Sequence, residues 1–229
     1  MSIIMLRLLQ IKNGTKYRRE VMAKRGRPRT FNSDDALKKA MLEFWSQGYE
    51  NTPMSSLIKT MKLNATSIYA AYGSKEALFL KAVDLYCRND GSRIWSAVQS
   101  ASYPIEVVTE LLHKSAEEFT RPNQPKGCLI IMASAISSSS SPSVYQKLKK
   151  LRANNERVLI KRFEETKTIS ELESDKPISH WKSVAKFYLT VQQGMSIQAR
   201  DGAKPAELLD IAENAISAWD AINEKSFVK

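Results

Sequence analysis

The stretch Thr52–Lys75, TPMSSLIKTMKLNATSIYAAYGSK, has the pattern of two short helices joined by a tight turn. In its first half, apolar residues recur at i, i+3, i+4 and i+7, which places them in one stripe along a helix. Those residues are Met54, Leu57, Ile58 and Met61. Thr52 is a favoured N-cap residue and Pro53 suits the first helical position, so the first helix is predicted to begin there.

The second half of the stretch predicts a helix that begins at Ala65. Lys62 and Leu63 form the turn, and Asn64 is placed to cap the following helix. Leu63 before the cap and Ile68 four residues after it have the spacing of a hydrophobic staple. Ile68 and Tyr72 are the expected inward positions of this second helix.

The remaining positions of the second helix are small or hydroxylic, with one aromatic residue. They are Ala65, Thr66, Ser67, Tyr69, Ala70 and Ala71. Small side chains let a helix approach base edges closely, and hydroxyl groups can bond to bases or phosphates. The pattern therefore favours a helix-turn-helix for the DNA major groove, although a plain helical hairpin inside an all-α domain has the same spacing.

Positive charge is concentrated at the N-terminus of the chain. The 229 residues carry a formal net charge of +11 and are 43% hydrophobic and 26% charged, which is ordinary for a globular chain. Residues 1–30 contain nine Lys or Arg against one acid, Glu20, so +8 of the +11 lies there. A basic arm of this kind is typical of a nucleic-acid partner, and a solvated tail without a partner is the alternative.

Within this arm, Arg25, Arg27 and Arg29 alternate around Gly26 and Pro28. That pattern keeps the segment extended and suits a narrow, A·T-rich minor groove, where arginine is favoured. Translation from Met22 is a further hypothesis, because the interpretable sequence begins there. Membrane-surface attachment through the arm would require an amphipathic stripe that it does not show.

No stretch has the pattern of a signal peptide or membrane-spanning helix, and a cytoplasmic location is expected. Cys87 and Cys128 lack metal-ligand spacing, so two reduced thiols are predicted. A first helix is expected over Ser33–Gln47, behind a cap near Asn32, and Ser74 can cap a fourth helix that begins at Lys75. The apolar pattern of this fourth helix runs through Tyr86 towards Val98, weakened near Asn89–Gly91.

Several motifs resemble the DNA-binding domain of the tetracycline-repressor (TetR) family of bacterial regulators. They are Gly48-Tyr49-x-x-Thr52, then Asn64-x-x-Ser67-Ile68-Tyr69-x-x-Tyr72-x-Ser74-Lys75-x-x-Leu78, and, more loosely, Lys126-Gly127-Cys128-Leu129 and Gly194-x-x-x-Gln198-Ala199-Arg200-Asp201-Gly202. Lys62 departs from the turn glycine usual in that family, and Ala71 departs from its usual polar residue. The resemblance implies an all-α fold and a ligand bound among the helices after Pro104, which tilts the Lys75 helix.

The sequence and this resemblance together predict a homodimeric DNA-binding transcriptional regulator, a repressor released from a pseudo-palindromic double-stranded operator by a small molecule. The predicted domains are a basic arm (1–30), a helix-turn-helix domain (31–74) and a helical ligand-binding and dimerisation domain (75–229). The predicted DNA contacts are Arg25, Arg27, Arg29, Thr52, Ser55, Ala65, Thr66, Ser67, Tyr69, Ala70, Tyr72 and Lys75.

After Pro104 the pattern is helical throughout. Helices are predicted over Ile105–Phe119, Cys128–Ile136, Val144–Lys167, Ser179–Arg200 and Pro205–Asn223, with a serine-rich loop at Ser137–Pro142. The last two are expected to pair and to form a four-helix dimer interface with a second copy, or else to cover the subunit's own core. The stripes predicted for this interface are Leu189, Gly194, Met195, Ala199, Leu208, Ile211, Ala215 and Trp219.

Residue types for catalysis are sparse, and neither an enzyme, a cofactor nor a metal is expected. The sequence has two histidines and no Gly-rich phosphate loop, HExxH, CxxC or GxSxG motif. A helical ligand carrier or a thiol-dependent enzyme using Cys128 is the alternative function, and a metal site from Cys128, His113 and Met132 is a weaker one. Candidate ligand contacts are His113, Cys128, Met132, Trp181 and Tyr188, each of which is also compatible with a core position.

Overall fold

The computed structural model describes residues 32–133, 141–166 and 176–224, and all regular structure within these ranges is helical. This confirms the predicted all-α class. The helices are α1 (Ser33–Gln47), α2 (Met54–Met61), α3 (Ala65–Tyr72), α4 (Lys75–Arg88), α5 (Ser92–Ser100), α6 (Pro104–Phe119), α7 (Leu129–Met132), α8 (Pro142–Glu165), α9 (Ile178–Arg200), α10 (Pro205–Ser217) and α11 (Trp219–Asn223).

Side-chain caps fix where three of the N-terminal helices begin. Asn32 accepts hydrogen bonds from two backbone N–H groups in the first turn of α1. Asn64 accepts from the Ser67 N–H at 2.7 Å, and Ser74 accepts from the Ala77 N–H at 3.0 Å. Each cap satisfies N–H groups that have no partner inside the helix. The predicted starts of α1, α3 and α4 are therefore confirmed.

The predicted cap of α2 is wrong. Thr52 is fully buried, and its Oγ1 donates to the Gly48 carbonyl oxygen at 2.6 Å, which closes the turn before α2. Pro53 occupies the N-cap position and makes no side-chain cap hydrogen bond. The Thr52 side chain stabilises the turn instead, because turning inward lets its hydroxyl satisfy a backbone carbonyl.

Helix α2 is held against α1 by a carboxylate, and α1 is held against α4 by aromatic rings. Glu43 of α1 accepts hydrogen bonds from Ser56 and, at 3.1 Å, from Thr60. Phe44 of α1 packs edge-on against Phe79 of α4, with ring centroids 5.0 Å apart. The helix-turn-helix unit therefore rests on α4 as well as on α1.

A second core forms around α6, α8, α9 and α10. Phe163 of α8 stacks on Trp181 of α9 with ring centroids 5.0 Å apart. Tyr188 of α9 is buried and donates its hydroxyl to the Ala215 carbonyl oxygen of α10 at 3.2 Å. Burial of these large rings accounts for much of the apolar surface removed from water in this half.

Two predicted helices are divided in the structure. The pattern predicted from Leu78 to Val98 splits into α4 and α5, because Asn89 leaves the helical conformation and the Gly91 N–H closes back on the Tyr86 carbonyl oxygen at 2.8 Å. The helix predicted over Pro205–Asn223 breaks at Ala218, between α10 and α11. Of the helix predicted over Cys128–Ile136, α7 lies within the described residues and the part beyond 133 lies outside them.

The predicted domain boundary at residue 74 stays a prediction. Helix α4 follows it directly and packs on both sides, against Phe44 of α1 and, through an Asp84–Lys147 ion pair of 2.8 Å, against α8. The predicted arm, residues 1–30, lies outside the described residues. Across the described ranges, no helix combines the length and apolarity needed to cross a bilayer.

Candidate DNA interface and effector cavity

Helix α3 presents a surface of small and hydroxyl side chains around one exposed aromatic ring. Ile68 is completely buried and anchors α3, while Tyr69 keeps 47% of its surface exposed. Thr66 and Ala70 are exposed beside Tyr69, and Ala65 and Ser67 are half-buried. An exposed Tyr flanked by small residues can approach base edges without steric obstruction from its own helix.

The other described residues in the predicted DNA set differ in accessibility. Ser55 of α2 is exposed, whereas Thr52 and Tyr72 are buried. The Tyr72 hydroxyl donates to the Ser33 carbonyl oxygen at 3.1 Å, which ties α3 to the start of α1. Thr52 and Tyr72 therefore support the fold of the unit rather than offering side-chain surface to DNA. Arg25, Arg27 and Arg29 lie outside the described residues.

Lys75, at the first turn of α4, lies over an aromatic ring. Its Nζ is 4.5 Å from the ring centroid of Tyr49. Partial burial lowers the pKa of Lys75, and the neighbouring charge of Glu50 opposes that shift. The ring holds the ammonium group by a cation–π contact at the same end of the molecule as α3.

Trp45 of α1 connects the helix-turn-helix unit with the segment before α7. Its Nε1 donates to the Gly127 carbonyl oxygen at 3.1 Å, and its ring lies edge-on to Tyr86 with centroids 4.9 Å apart. Gly127 has a φ of +74°, and a Cβ on it would lie 2.6 Å from the Ser196 carbonyl oxygen. Only glycine fits there, because both the backbone conformation and the close approach exclude a side chain.

Arg200, the last residue of α9, makes a second connection to α1. Its guanidinium donates to the carbonyl oxygens of Trp45, at 2.9 Å, and Ser46. The last carbonyls of a helix lack partners within it, so these bonds satisfy groups that would otherwise be left open. The sequence pattern placed Trp45 only on the inner face of α1 and Arg200 only within a family-like motif; neither carried a sign of this contact.

A cavity of about 280 Å³ opens between α4, α5, α6, α7, α8 and α9. Its apolar lining includes Ile94, Trp95, Phe119, Ile131, Leu151 and Val158. Its polar lining comprises Tyr86, Cys87, Cys128, Arg152, Asn154, Asn155, Gln192 and Gln193. A mostly apolar cavity with a few polar groups is the usual form of a small-molecule site.

The two thiols in this lining are not activated. Burial raises the pKa of Cys87 to about 11, and burial also raises the pKa of Cys128. A thiol reacts as its thiolate, so raised pKa values disfavour nucleophilic chemistry at neutral pH. These shifts weigh against the thiol-dependent enzyme considered for Cys128.

The five predicted ligand contacts are not brought together. Cys128 lines the cavity. Trp181 and Tyr188 belong to the core around α9, and Met132, in α7, does not line the cavity. His113 lies near the surface, where it pairs with Glu213 of α10 at 2.7 Å, and it does not line the cavity. Within the described ranges no cluster of three metal-ligating side chains occurs.

Most residues of the predicted dimer stripes lie inside the protomer. The buried ones are Leu189, Met195, Ala199, Leu208, Ala215 and Trp219. Ile211 is partly buried against the same core, and Gly194 is exposed. These stripes follow the second possibility that the sequence left open, in which they cover the subunit's own core.

A different apolar side of α9 and α10 faces outward. Phe187 and Ile197 of α9 are 41% and 49% exposed, and Leu209 of α10 is 40% exposed. Gly194 lies between the first two, and a Cβ there would meet open space. Phe187, Ile197 and Leu209 were not predicted from the sequence, although the seven- and three-residue spacing of Phe187 and Ile197 around Gly194 was readable as a helical stripe.

Comparison with known proteins places these features in a family. The model for "Bacterial regulatory proteins, tetR family" matches residues 36–82. The chain is 30% identical over 200 residues to the HTH-type transcriptional repressor ComR of Escherichia coli (strain K12), which covers 87% of this chain and 94% of ComR. The chain belongs to the TetR family. This confirms the resemblance seen in the sequence.

Two further similarities support the assignment. The HTH-type transcriptional repressor BdcR of Escherichia coli (strain K12) is 24% identical over 87% of this chain and 95% of BdcR. A cysteine mutant of the TetR family regulator CifR, solved with 26-base-pair operator DNA, is 34% identical with a TM-score of 0.78 and covers 85% of this chain and 100% of that one. Because TetR proteins are transcriptional regulators, the expectation that the chain is not an enzyme is also confirmed.

Proposed function

We propose that this TetR-family protein is a homodimeric repressor that binds a pseudo-palindromic double-stranded DNA operator and is released by a small molecule bound in the cavity. The proposal of DNA binding rests on the geometry of α3. Its anchor Ile68 is completely buried, while Tyr69 is 47% exposed. Support also comes from CifR, a 34% identical relative that was solved with its operator DNA.

In this proposal α3 enters the major groove. Tyr69, Thr66 and Ala70 face base edges, and Ser55 of α2 faces the phosphate backbone. Lys75 contributes positive charge at the flank of the site. The arginines of the arm, Arg25, Arg27 and Arg29, add minor-groove and counterion-release affinity.

The dimer is proposed to form through the outward apolar side of α9 and α10. Phe187, Ile197 and Leu209 would be removed from water there, and Gly194 would allow close approach of the two α9 helices. Exposed lysines near the start of α9, Lys182 and Lys186, and an exposed Asp210 on α10 provide opposite charges for the partner copy. Two copies of α3 must then lie about 34 Å apart to reach successive major grooves.

The effector is proposed to act through α4 and α1. Helix α4 begins at Lys75 near the DNA side, and Tyr86 and Cys87 near its other end line the cavity. Tyr86 also touches Trp45, and Cys128 follows Gly127, the residue that accepts the Trp45 hydrogen bond. An effector shifts the protein only by binding the two α3 separations with different affinity.

The test is fluorescence polarisation with the DNA beside the protein's own gene and a shuffled duplex of equal composition. Wild type should bind the native duplex more tightly than the shuffled one. Ala70→Glu, which adds a negative charge to the exposed side of α3, should abolish this preference. Ala153→Glu makes the same change on an exposed position of α8 and should bind like wild type. Equal binding of both duplexes by wild type contradicts the proposal.

A further inference from the structure

The cavity contains one hydrogen-bond acceptor whose orientation is fixed by neighbouring groups of the protein. Ser115 of α6 donates its hydroxyl hydrogen to the Leu111 carbonyl oxygen at 2.6 Å. A serine hydroxyl has one hydrogen to give, so its Oγ can only accept from any other neighbour. Gln192 of α9 meets this Oγ at 2.8 Å.

The side-chain amide of Gln192 must therefore present its nitrogen to Ser115. Its Nε2 donates there, and its carbonyl oxygen Oε1 has no hydrogen-bond partner among the described residues. Gln192 is only 5% exposed, yet it lines the cavity. Oε1 is not among the described side-chain atoms that are both buried and unpartnered, so it keeps accessible surface. The protein thus holds an oriented acceptor in a mostly apolar cavity, where a ligand donor can form a hydrogen bond with it.

Charge in the lining disfavours an ionic ligand. Burial keeps both thiols protonated, since the pKa of Cys87 is raised to about 11 and that of Cys128 is also raised. Among the described residues that line the cavity there is no carboxylate, and the one cation, Arg152, already interacts with another group of the protein. A carboxylate ligand has no hydrogen to give Oε1, and an ammonium ligand would lose its hydration without gaining a counter-charge.

The volume of the cavity also limits the size of the ligand. A cavity of about 150 Å³ accommodates benzene, so one of 280 Å³ suits a molecule of about ten to twelve non-hydrogen atoms. We infer that the cavity binds an uncharged, mainly apolar molecule of this size that carries one hydroxyl or amide N–H group, which donates a hydrogen bond to Gln192 Oε1. This inference rests on the proposed function in taking the cavity as the effector site.

The experiment is isothermal titration calorimetry of the full chain with three matched probes. 3-Phenylpropan-1-ol carries a donor, its isomer benzyl ethyl ether can only accept, and 3-phenylpropanoate is an anion with the same phenyl-propyl body. Wild type should bind the alcohol about three- to tenfold more tightly than the ether, which is the contribution of one hydrogen bond, and should bind the carboxylate most weakly.

Gln192→Met keeps an unbranched side chain and removes the acceptor, so the alcohol and the ether should bind with equal affinity. Ser115→Ala leaves Gln192 in place and removes the group that orients its amide. It should reduce the alcohol preference, and it also provides a test if Gln192→Met does not fold. Val158→Trp fills the cavity and should eliminate binding of every probe.

Equal affinity of wild type for alcohol and ether, tighter binding of the carboxylate, no binding of either neutral probe, or retained binding in Val158→Trp each overturns the inference. DNA binding is measured on the same preparation by fluorescence polarisation. If the alcohol preference is found but operator binding is absent, the proposed function fails and the ligand class stands. If operator binding is found and the alcohol preference is absent, the ligand class fails alone.

Discussion

Tyr69 is a large side chain that α3 leaves 47% exposed between small neighbours. Tyr69→Ala should weaken binding to the native duplex by about 1–3 kcal/mol, because it removes the largest contact surface that α3 can offer to bases. Fluorescence polarisation measures the change, and sedimentation checks that assembly is unaltered. Tyr69→Phe measures the contribution of the hydroxyl group alone. If Tyr69→Ala leaves the DNA affinity unchanged, Tyr69 is not one of the DNA contacts.

Lys62 ends α2 in the left-handed conformation, with a φ of 55° and a ψ of 42°. Lys62→Gly should raise the free energy of unfolding by about 0.5–1 kcal/mol, since relief of left-handed strain exceeds the added entropy of the unfolded glycine chain. Urea unfolding followed by circular dichroism measures it. Lys62→Ala removes the same exposed charge but keeps the strain, so it should bring no gain. A gain in both variants would mean that the charge, and not the backbone, is responsible.

Local sequence predicted local features of these residues well and their burial less well. The caps Asn32, Asn64 and Ser74 were readable because a cap depends on residues three positions away. Trp181 and Tyr188 were candidates for ligand contact on aromatic character, yet they pack in the core around α9. Whether an aromatic residue faces a cavity or a core depends on helices distant in sequence, which a single stretch does not encode.

At the scale of elements, the basic arm provides a testable contribution to DNA binding. Arg25→Ala, Arg27→Ala and Arg29→Ala together should flatten the salt dependence of operator binding by about 0.9 in slope for each lost phosphate contact. Measurement of affinity across a salt series gives the slope. The matched control changes Arg7, Lys12 and Lys16 to Ala, which removes the same charge at positions further from residue 32 along the sequence. If the control variant flattens the salt dependence more than the arginine triple variant does, the assigned role is contradicted.

The periodicity of apolar residues predicted most helix boundaries. It did not predict a helix break at which no Gly or Pro occurs. The end of α4 lies at Asn89, where the apolar pattern already weakens. The break between α10 and α11 falls at Ala218, a good helix former, and no Gly or Pro marks it. Trp219 directly follows this break and packs with Tyr188, so a tertiary contact accompanies the discontinuity.

At the scale of the whole molecule, the exposed apolar residues of α9 and α10 predict how two copies form a dimer. Ile197→Glu should convert the dimer to monomer in sedimentation equilibrium, because it places a charge at the centre of the proposed apolar interface. Operator affinity should fall with it, since one monomer contacts one half-site. Ile178→Glu is the control: Ile178 is also exposed, and it lies about half a turn around α9 from Phe187. A monomeric wild type, or a dimeric Ile197→Glu, contradicts the proposed interface.

The two sides of α9 show why this surface was missed from sequence. Both carry apolar residues, so periodicity alone does not say which stripe faces the core. Met195 is buried and Ile197, two residues later, is 49% exposed. Which stripe of α9 is buried depends on α6, α8 and α10, and their positions are set by the whole fold.

The bonds from Arg200 and Gly127 to α1 also bear on how such proteins can be recombined. A chimera that joined residues 32–88 of this chain to the remainder of a relative would keep Trp45 but would lose Arg200, which donates to the carbonyl oxygens of Trp45 and Ser46. It would also need a glycine to replace Gly127, where a side chain would meet the Ser196 backbone. Positions 127 and 200 therefore limit such exchanges: the segment that contains Trp45 should transfer intact only to relatives that have glycine and arginine at these two positions.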